Sequence, residues 1–223
     1  MRNVIILGSG GVAAEITFYI EDNNAHGDIN EKINILGYID YADSIEAHYK
    51  KYNFSAPVLC DIDTYVPQKN EEVLIAIANP SDRNKMTRLL LQTGGKIGSF
   101  IHHSVIAPKQ PNWGIGNIIF PFCILEQNAI IGNYNLLTSY SFISHDCVVG
   151  DNNFLSTAGL AGNVKVGNNN FFGIRATVIP GVEIGNNNLV QAGMIVDKNV
   201  KDDTTVFYRY KEKVLAIPKK ANP

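Results

Sequence analysis

The chain has 223 residues, 18% of them charged, with a formal net charge of −2. A balance so near zero offers no field for a nucleic-acid backbone or an anionic membrane, so neither partner is expected. Three cysteines, Cys60, Cys123 and Cys147, show neither a disulfide framework nor metal-ligand spacing; with no signal-peptide pattern and no membrane-length apolar run, the expected compartment is the cytoplasm.

Val4 to Leu7 reads as a buried parallel strand, followed by Gly8-Ser9-Gly10-Gly11-Val12-Ala13 and a helix from Ala14 to Asp22 with Ile16, Tyr19 and Ile20 at helical spacing. Strand, glycine turn and helix fit the G-x-G-x-x-G/A fingerprint, whose backbone amides approach a diphosphate at a helix N-terminus. The strand Ile33 to Ile39 ends at Asp40, where a dinucleotide fold places its ribose-binding acid, although the spacing exceeds the usual ~20 residues. The alternative for Asp40 is an acid meeting solvent at a strand end. Ala42 to Asn53 is polar and carries no clear periodicity, Val58-Leu59 reads as a short strand, and Asp61 to Pro67 as a helical turn. Glu72 to Ile77 is a buried strand; Ser81 then caps a helix with Arg83, Met86, Leu89 and Leu90 on one side, ended by Gly94-Gly95. Asn79 and Arg83 therefore fall at the ligand-facing edge of the sheet, or, for Arg83, simply on a solvated helix face. Residues 1–98 make a small Rossmann-like α/β domain.

From residue 99 onward the pattern changes. Ile101 to Ala107 is transitional, Pro108 to Asn112 a loop, and a six-residue repeat then runs from Trp113 to Val196. Every sixth residue from Ile118 to Val196 is apolar, the signature of a parallel β-helix. Gly132, Gly150, Gly167 and Gly185 recur at intervals of 18 (132 to 150), 17 (150 to 167) and 18 (167 to 185) residues. Three hexads per turn imply a triangular prism with one turn short by a residue. The asparagine runs after these glycines suit corners that need left-handed backbone angles. Phe207 to Pro223 is aromatic, basic and out of register, and is expected to fold over the end of the coil.

His145 is the one histidine of the repeat region; His26, His48, His102 and His103 all precede it. Histidine is the natural general base near neutral pH, and the following Asp146 could fix its tautomer, provided a corner lies between them. A surface histidine is the alternative. A catalytic zinc needs three protein ligands plus water, which one coil histidine does not supply, so no metal is expected. No nucleophile elbow is present for serine chemistry.

GSGGVAAEI, LGYID, IANPSDR and a hexapeptide coil carrying SHDCVVGD and LAGNVKVG resemble the sialic-acid O-acetyltransferase-like hexapeptide family. Well-understood members are bacterial nucleotide-amino-sugar N-acetyltransferases. The resemblance covers nearly the whole chain. It implies a left-handed β-helix, against the usual right-handed crossover, assembled as a homotrimer with active sites between coils. It also implies acetyl-CoA in the groove between subunits, and a nucleotide-linked 4-amino-4,6-dideoxy sugar held by the first domain, its diphosphate at Gly8, Ser9, Gly10, Gly11 and Val12. His145 matches the family's base, Asp146 the acid that orients it, and Gly162 the glycine whose N–H faces the thioester oxygen. Gly162, Gly173, Ile174 and Gly193 fall where the family lines the pantetheine arm, and Asp40, Asn79 and Arg83 around the nucleotide. Thr138-Ser139 stand where the family has Asn-Thr beside the acceptor, Ser144 where it has Glu, and the tail from Tyr208 to Lys219 lacks the usual G-x-P-A-K ending. O-acetylation of a sugar hydroxyl on the same fold is the alternative reaction. The short turn is expected between His145 and the turn after Gly162, within the transfer site.

Overall fold

The computed structural model describes residues 1–26 and 32–208, so most of the tail expected to fold over the coil lies outside the described residues. Four parallel strands form the first sheet in the order β3-β2-β1-β4: β1 (Arg2–Leu7), β2 (Ile33–Asp40), β3 (Val58–Asp61) and β4 (Glu72–Ile75). The unbroken apolar run Val4–Leu7 is buried because both faces of a central parallel strand are covered. The chain order reverses between β1 and β4, placing the glycine turn at the carboxyl edge of the switch point.

Helix α1 (Gly11–His26) is longer at both ends than its apolar spacing suggests, and buries Ala13, Ile16, Thr17, Ile20 and Asn23. The polar stretch without clear periodicity is helix α2 (Ala42–Tyr52), stopped by Asn53 in the left-handed region at φ 49°. Helix α3 (Pro80–Gln92) is capped by Asn79, not Ser81: the Asn79 side-chain carbonyl accepts from the Ser81 and Asp82 amides, and Pro80 occupies the first helical position.

The coil begins earlier than the repeat suggests, since Phe100–Ile101 already pairs in parallel with Ile118–Ile119. Among the described residues it comprises the two-residue strands β5 (Phe100–Ile101) to β21 (Thr205–Val206), on three parallel faces of a left-handed β-helix. The first face, through Ile118, Leu136, Phe154 and Phe171, carries the α/β domain. The second runs through Ile124, Phe142, Gly159, Thr177 and Ile195, and the third through Ile130, Val148, Lys165 and Glu183. Between the third and first faces, Asn117, Asn135, Asn153, Asn170 and Asn188 are buried and stacked. Each side-chain carbonyl accepts the amide N–H of the next asparagine, at 2.8 to 2.9 Å. In these runs only the residue just before the stacked asparagine, Asn152, Asn169 or Asn187, takes positive φ.

The apolar column needs one correction. In each coil strand the second residue fills the prism core, while the first faces outward or meets the α/β domain. The core runs in sixes from Ile119 to Leu155, steps five residues to Leu160, and resumes in sixes to Val196. The strict six-residue series from Ile118 therefore crosses from the outward to the inward position after Phe154. Leu136 pairs with Phe154, 18 residues on, but Phe142 pairs with Gly159, 17 on. The missing residue belongs to the corner Ser156–Ala158, between the first and second faces.

Candidate active site

His145 and Asp146 lie at the corner joining the second face to the third. Asp146 adopts φ 60°, so the chain reverses between the two side chains and lets neighbours meet that a strand would separate. The imidazole Nδ1 is 2.8 Å from Asp146 Oδ2, the ring is about half exposed, and Nε2 has no partner among the described residues. Gly162 sits one coil further on, at the same corner. A Cβ there would lie 2.7 Å from Cε1 and Nε2 of His145, so only glycine leaves room for the ring. Among the described residues no group engages the Gly162 N–H.

The preceding coil holds this corner through three consecutive residues. Glu126 Oε2 accepts the His145 amide at 3.0 Å, the Gln127 carbonyl accepts the Asp146 amide at 3.1 Å, and Asn128 Nδ2 donates to Asp146 Oδ1 at 2.9 Å. Bonds from His145 and Asn128 hold the Asp146 carboxyl below the usual carboxylate range. Glu126 and Asn128 were missed in the sequence, yet they stand 18 residues before Ser144 and Asp146 (144 − 126, 146 − 128), the period that stacks side chains in this coil.

In the α/β domain, four expected binding residues have other tasks. Asp40 Oδ2 accepts both the amide and hydroxyl of the buried Ser9, at 2.8 and 2.7 Å, and Oδ1 accepts the Tyr41 amide. The pair braces the glycine turn. Asn79 caps α3. Arg83 is neither solvated nor directed at a ligand: it is 2% exposed and crosses to the coil. Its Nε donates to Asn152 Oδ1 and the Tyr134 carbonyl, Nη1 to the Ile77 and Ala78 carbonyls, and Nη2 to those of Asn152 and Asn153. Burial lowers the guanidinium to about 9, so it stays charged at neutral pH. Gly8 has φ 107° and a Cβ there would come 3.0 Å from the Ala76 carbonyl oxygen, a close approach that requires glycine. Gly10, Gly11 and Val12 remain open at the start of α1.

Gly11 and Val12 line a groove of about 590 Å³ that runs along α1 past Glu15, Phe18 and Tyr19. Its far end reaches the coil, where the hydroxyls of Ser139 and Tyr19 are 3.2 Å apart. Thr138 is in the same corner, between the first and second faces; its Oγ1 accepts the amide of Thr157 in the short corner. Gly173, Ile174 and Gly193 stack further along this edge, Gly193 donating to the Ile174 carbonyl. A Cβ on Gly173 would collide with the Ala192 backbone at 2.6 Å, so that glycine is demanded by coil packing. Within one chain, the edge of Thr138 and Gly173 is thus separate from the edge of His145 and Gly162, and the short corner is on the former. A groove of about 850 Å³ between α3 and the asparagine corner lies at neither of them. Among the described residues no helix is long and apolar enough to cross a membrane.

No family model matches the chain, and no curated protein matches it significantly. Solved structures do. A mutant perosamine N-acetyltransferase from Caulobacter crescentus, in complex with CoA and GDP-perosamine, is 26% identical with a TM-score of 0.75, covering 92% of this chain and 93% of that one. WeeI from Acinetobacter baumannii AYE is 24% identical with a TM-score of 0.75, over 92% of this chain and 96% of its own. The acetyltransferase domain of PglB from Neisseria gonorrhoeae FA1090, in complex with acetyl coenzyme A, gives 16% and 0.74, over 92% and 95%. The chain therefore shares its two-part fold with these three proteins, one of them a perosamine N-acetyltransferase.

Proposed function

We propose that the chain is an acetyl-CoA-dependent N-acetyltransferase acting on a nucleotide-linked 4-amino-4,6-dideoxy sugar. The observation that carries this reading is the His145 corner: an imidazole held by Asp146 at Nδ1 and packed against Gly162, with no partner at Nε2 or at the Gly162 N–H among the described residues. The likeness to an N-acetyltransferase complexed with CoA and GDP-perosamine supports the substrate class. The sugar amine attacks the thioester carbon, the new C–N bond forms, and the C–S bond breaks to release CoA as its thiolate. His145 Nε2 takes the proton that the amine loses and passes it to the departing sulfur. Asp146 keeps Nε2 unprotonated beforehand and stabilises the imidazolium afterwards. The Gly162 N–H supports the oxyanion, a contribution of about 3–4 kcal/mol where such a donor is preorganised.

The acceptor's diphosphate would meet the amides of Gly10, Gly11 and Val12 at the start of α1, with Thr138 nearer the sugar. Gly173, Ile174 and Gly193 would flank the pantetheine arm. These groups share one edge of the prism, and His145 belongs to another. The division favours a homotrimer in which one chain supplies the binding edge and its neighbour the base. The test is a panel of UDP-, dTDP- and GDP-linked 4-amino sugars with acetyl-CoA, following free thiol and comparing His145→Ala. Thiol release with one of them, lost in the variant, is expected. Release only with sialic acid would transfer the reading to O-acetylation, and full activity of the variant would remove His145 as base.

A further inference from the structure

The single histidine of the repeats cannot build a metal site alone, but three of the four that precede it, His26, His102 and His103, gather around Asp22. We propose that Asp22, His102 and His103, with His26 beside them, form a zinc site that fastens α1 to the first turn of the coil. His102 Nε2 is 3.0 Å and His103 Nε2 3.2 Å from the same oxygen, Asp22 Oδ2, and the three donor atoms all lie within 4.8 Å of one another. Zinc bonded at about 2.0–2.1 Å in a tetrahedron separates its ligand atoms by about 3.3 Å. Two of the three separations are already close to that value. His26, one helical turn after Asp22, has Nδ1 3.1 Å from the other carboxylate oxygen but stands outside the group of donor atoms within 4.8 Å of one another, so it flanks the three ligands and the fourth position falls to solvent.

The surroundings hold these groups in place. His102 is buried, and its Nδ1 is 2.8 Å from Ser104 Oγ, which in turn accepts the Phe122 amide at 3.0 Å. His103 is fixed through its amide, donated to Asn23 Oδ1 at 2.7 Å. A ligating histidine whose other ring nitrogen is hydrogen-bonded is the usual second layer of a zinc site. His102 and His103 leave the strand Phe100–Ile101 into a corner, so adjacent rings project toward one carboxylate. Imidazole and carboxylate without thiolate select zinc-type ions over calcium or magnesium. The site joins the two halves of the chain, on a different corner from His145, and its role is structural.

The test uses the full, untagged protein, cleared of metal by a chelator and titrated with zinc by calorimetry. We expect about one equivalent per chain, and an unfolding temperature raised by roughly 5 °C or more at a hundredfold excess over Kd. Cobalt in place of zinc should give the visible absorption of a four-coordinate ion. Asp22→Asn and the exposed-side His103→Gln should each weaken binding by at least roughly tenfold. Neither removes buried core, so the test survives even if His102→Ala fails to fold. Binding weaker than about 100 µM, or equal binding in both variants, overturns the site and leaves a hydrogen-bonded seam of histidines around Asp22.

Discussion

Gly162 has no side chain, and the His145 ring occupies the space where one would stand. Because that ring is 55% exposed, a methyl group at 162 would push it into solvent and leave the coil core alone. Gly162→Ala should therefore lower kcat by roughly a hundredfold, the lower range of what a positioned base contributes. Stability should change by less than about 0.5 kcal/mol, as for a surface substitution, and the KM for the acceptor should hold. Wild-type kcat in this variant would separate His145 from the chemistry. The pairing of His145 with Asp146 was readable as a conditional: it needed a corner, and Asp146 at φ 60° supplies one. The support from Glu126 and Asn128 was not readable from neighbours in sequence, since a coil places contacts one full turn away.

Helix α3 and its arginine act as one element. Arg83 reaches from α3 into the coil and gives every guanidinium N–H to an acceptor, so it rivets two halves that sequence treats as separate. Arg83→Ala would strand buried carbonyls on both sides and should cost about 3–5 kcal/mol in urea unfolding. Lysine should not rescue it, because one ammonium cannot serve acceptors spread around a planar fork. A raised acceptor KM with unchanged stability would instead return Arg83 to ligand binding. The strands β1 and β4 were legible as continuous apolar runs, whereas α2 was not, its surface being polar with few core positions. The missed cap has a plain cause: Asn79 and Ser81 are both good N-cap residues, and Pro80 between them is suited to the first helical position. The coil was legible as a period but not in its phase. With both residues of many strands apolar, hydrophobicity alone does not reveal which one faces in, so the slip at Ser156–Ala158 passes unseen through the column and appears only in the glycine spacing.

At the scale of the whole molecule, the separation of the two edges carries the strongest consequence. Thr138, Gly173, Ile174 and Gly193 line one edge, continuous with the α1 groove; His145, Asp146 and Gly162 line another. If each active site takes one edge from each of two neighbours in a closed ring, a chain defective at His145 and a chain defective at the binding edge can complement each other. The natural pair is His145→Ala and Ile174→Asp, the latter placing a charge at an exposed apolar position without disturbing the core. Each variant alone should be inactive. After unfolding and refolding together in equal amounts, about a quarter of the sites would join an intact base to an intact binding edge, if chains assemble at random. The mixture should recover roughly that fraction of wild-type thiol release. Mixing without refolding should recover none, which guards against simple contamination. No recovery from well-assembled mixed oligomers would mean that each chain builds its site alone, and the groove along α1 would then have to deliver its substrate to a base in the same subunit.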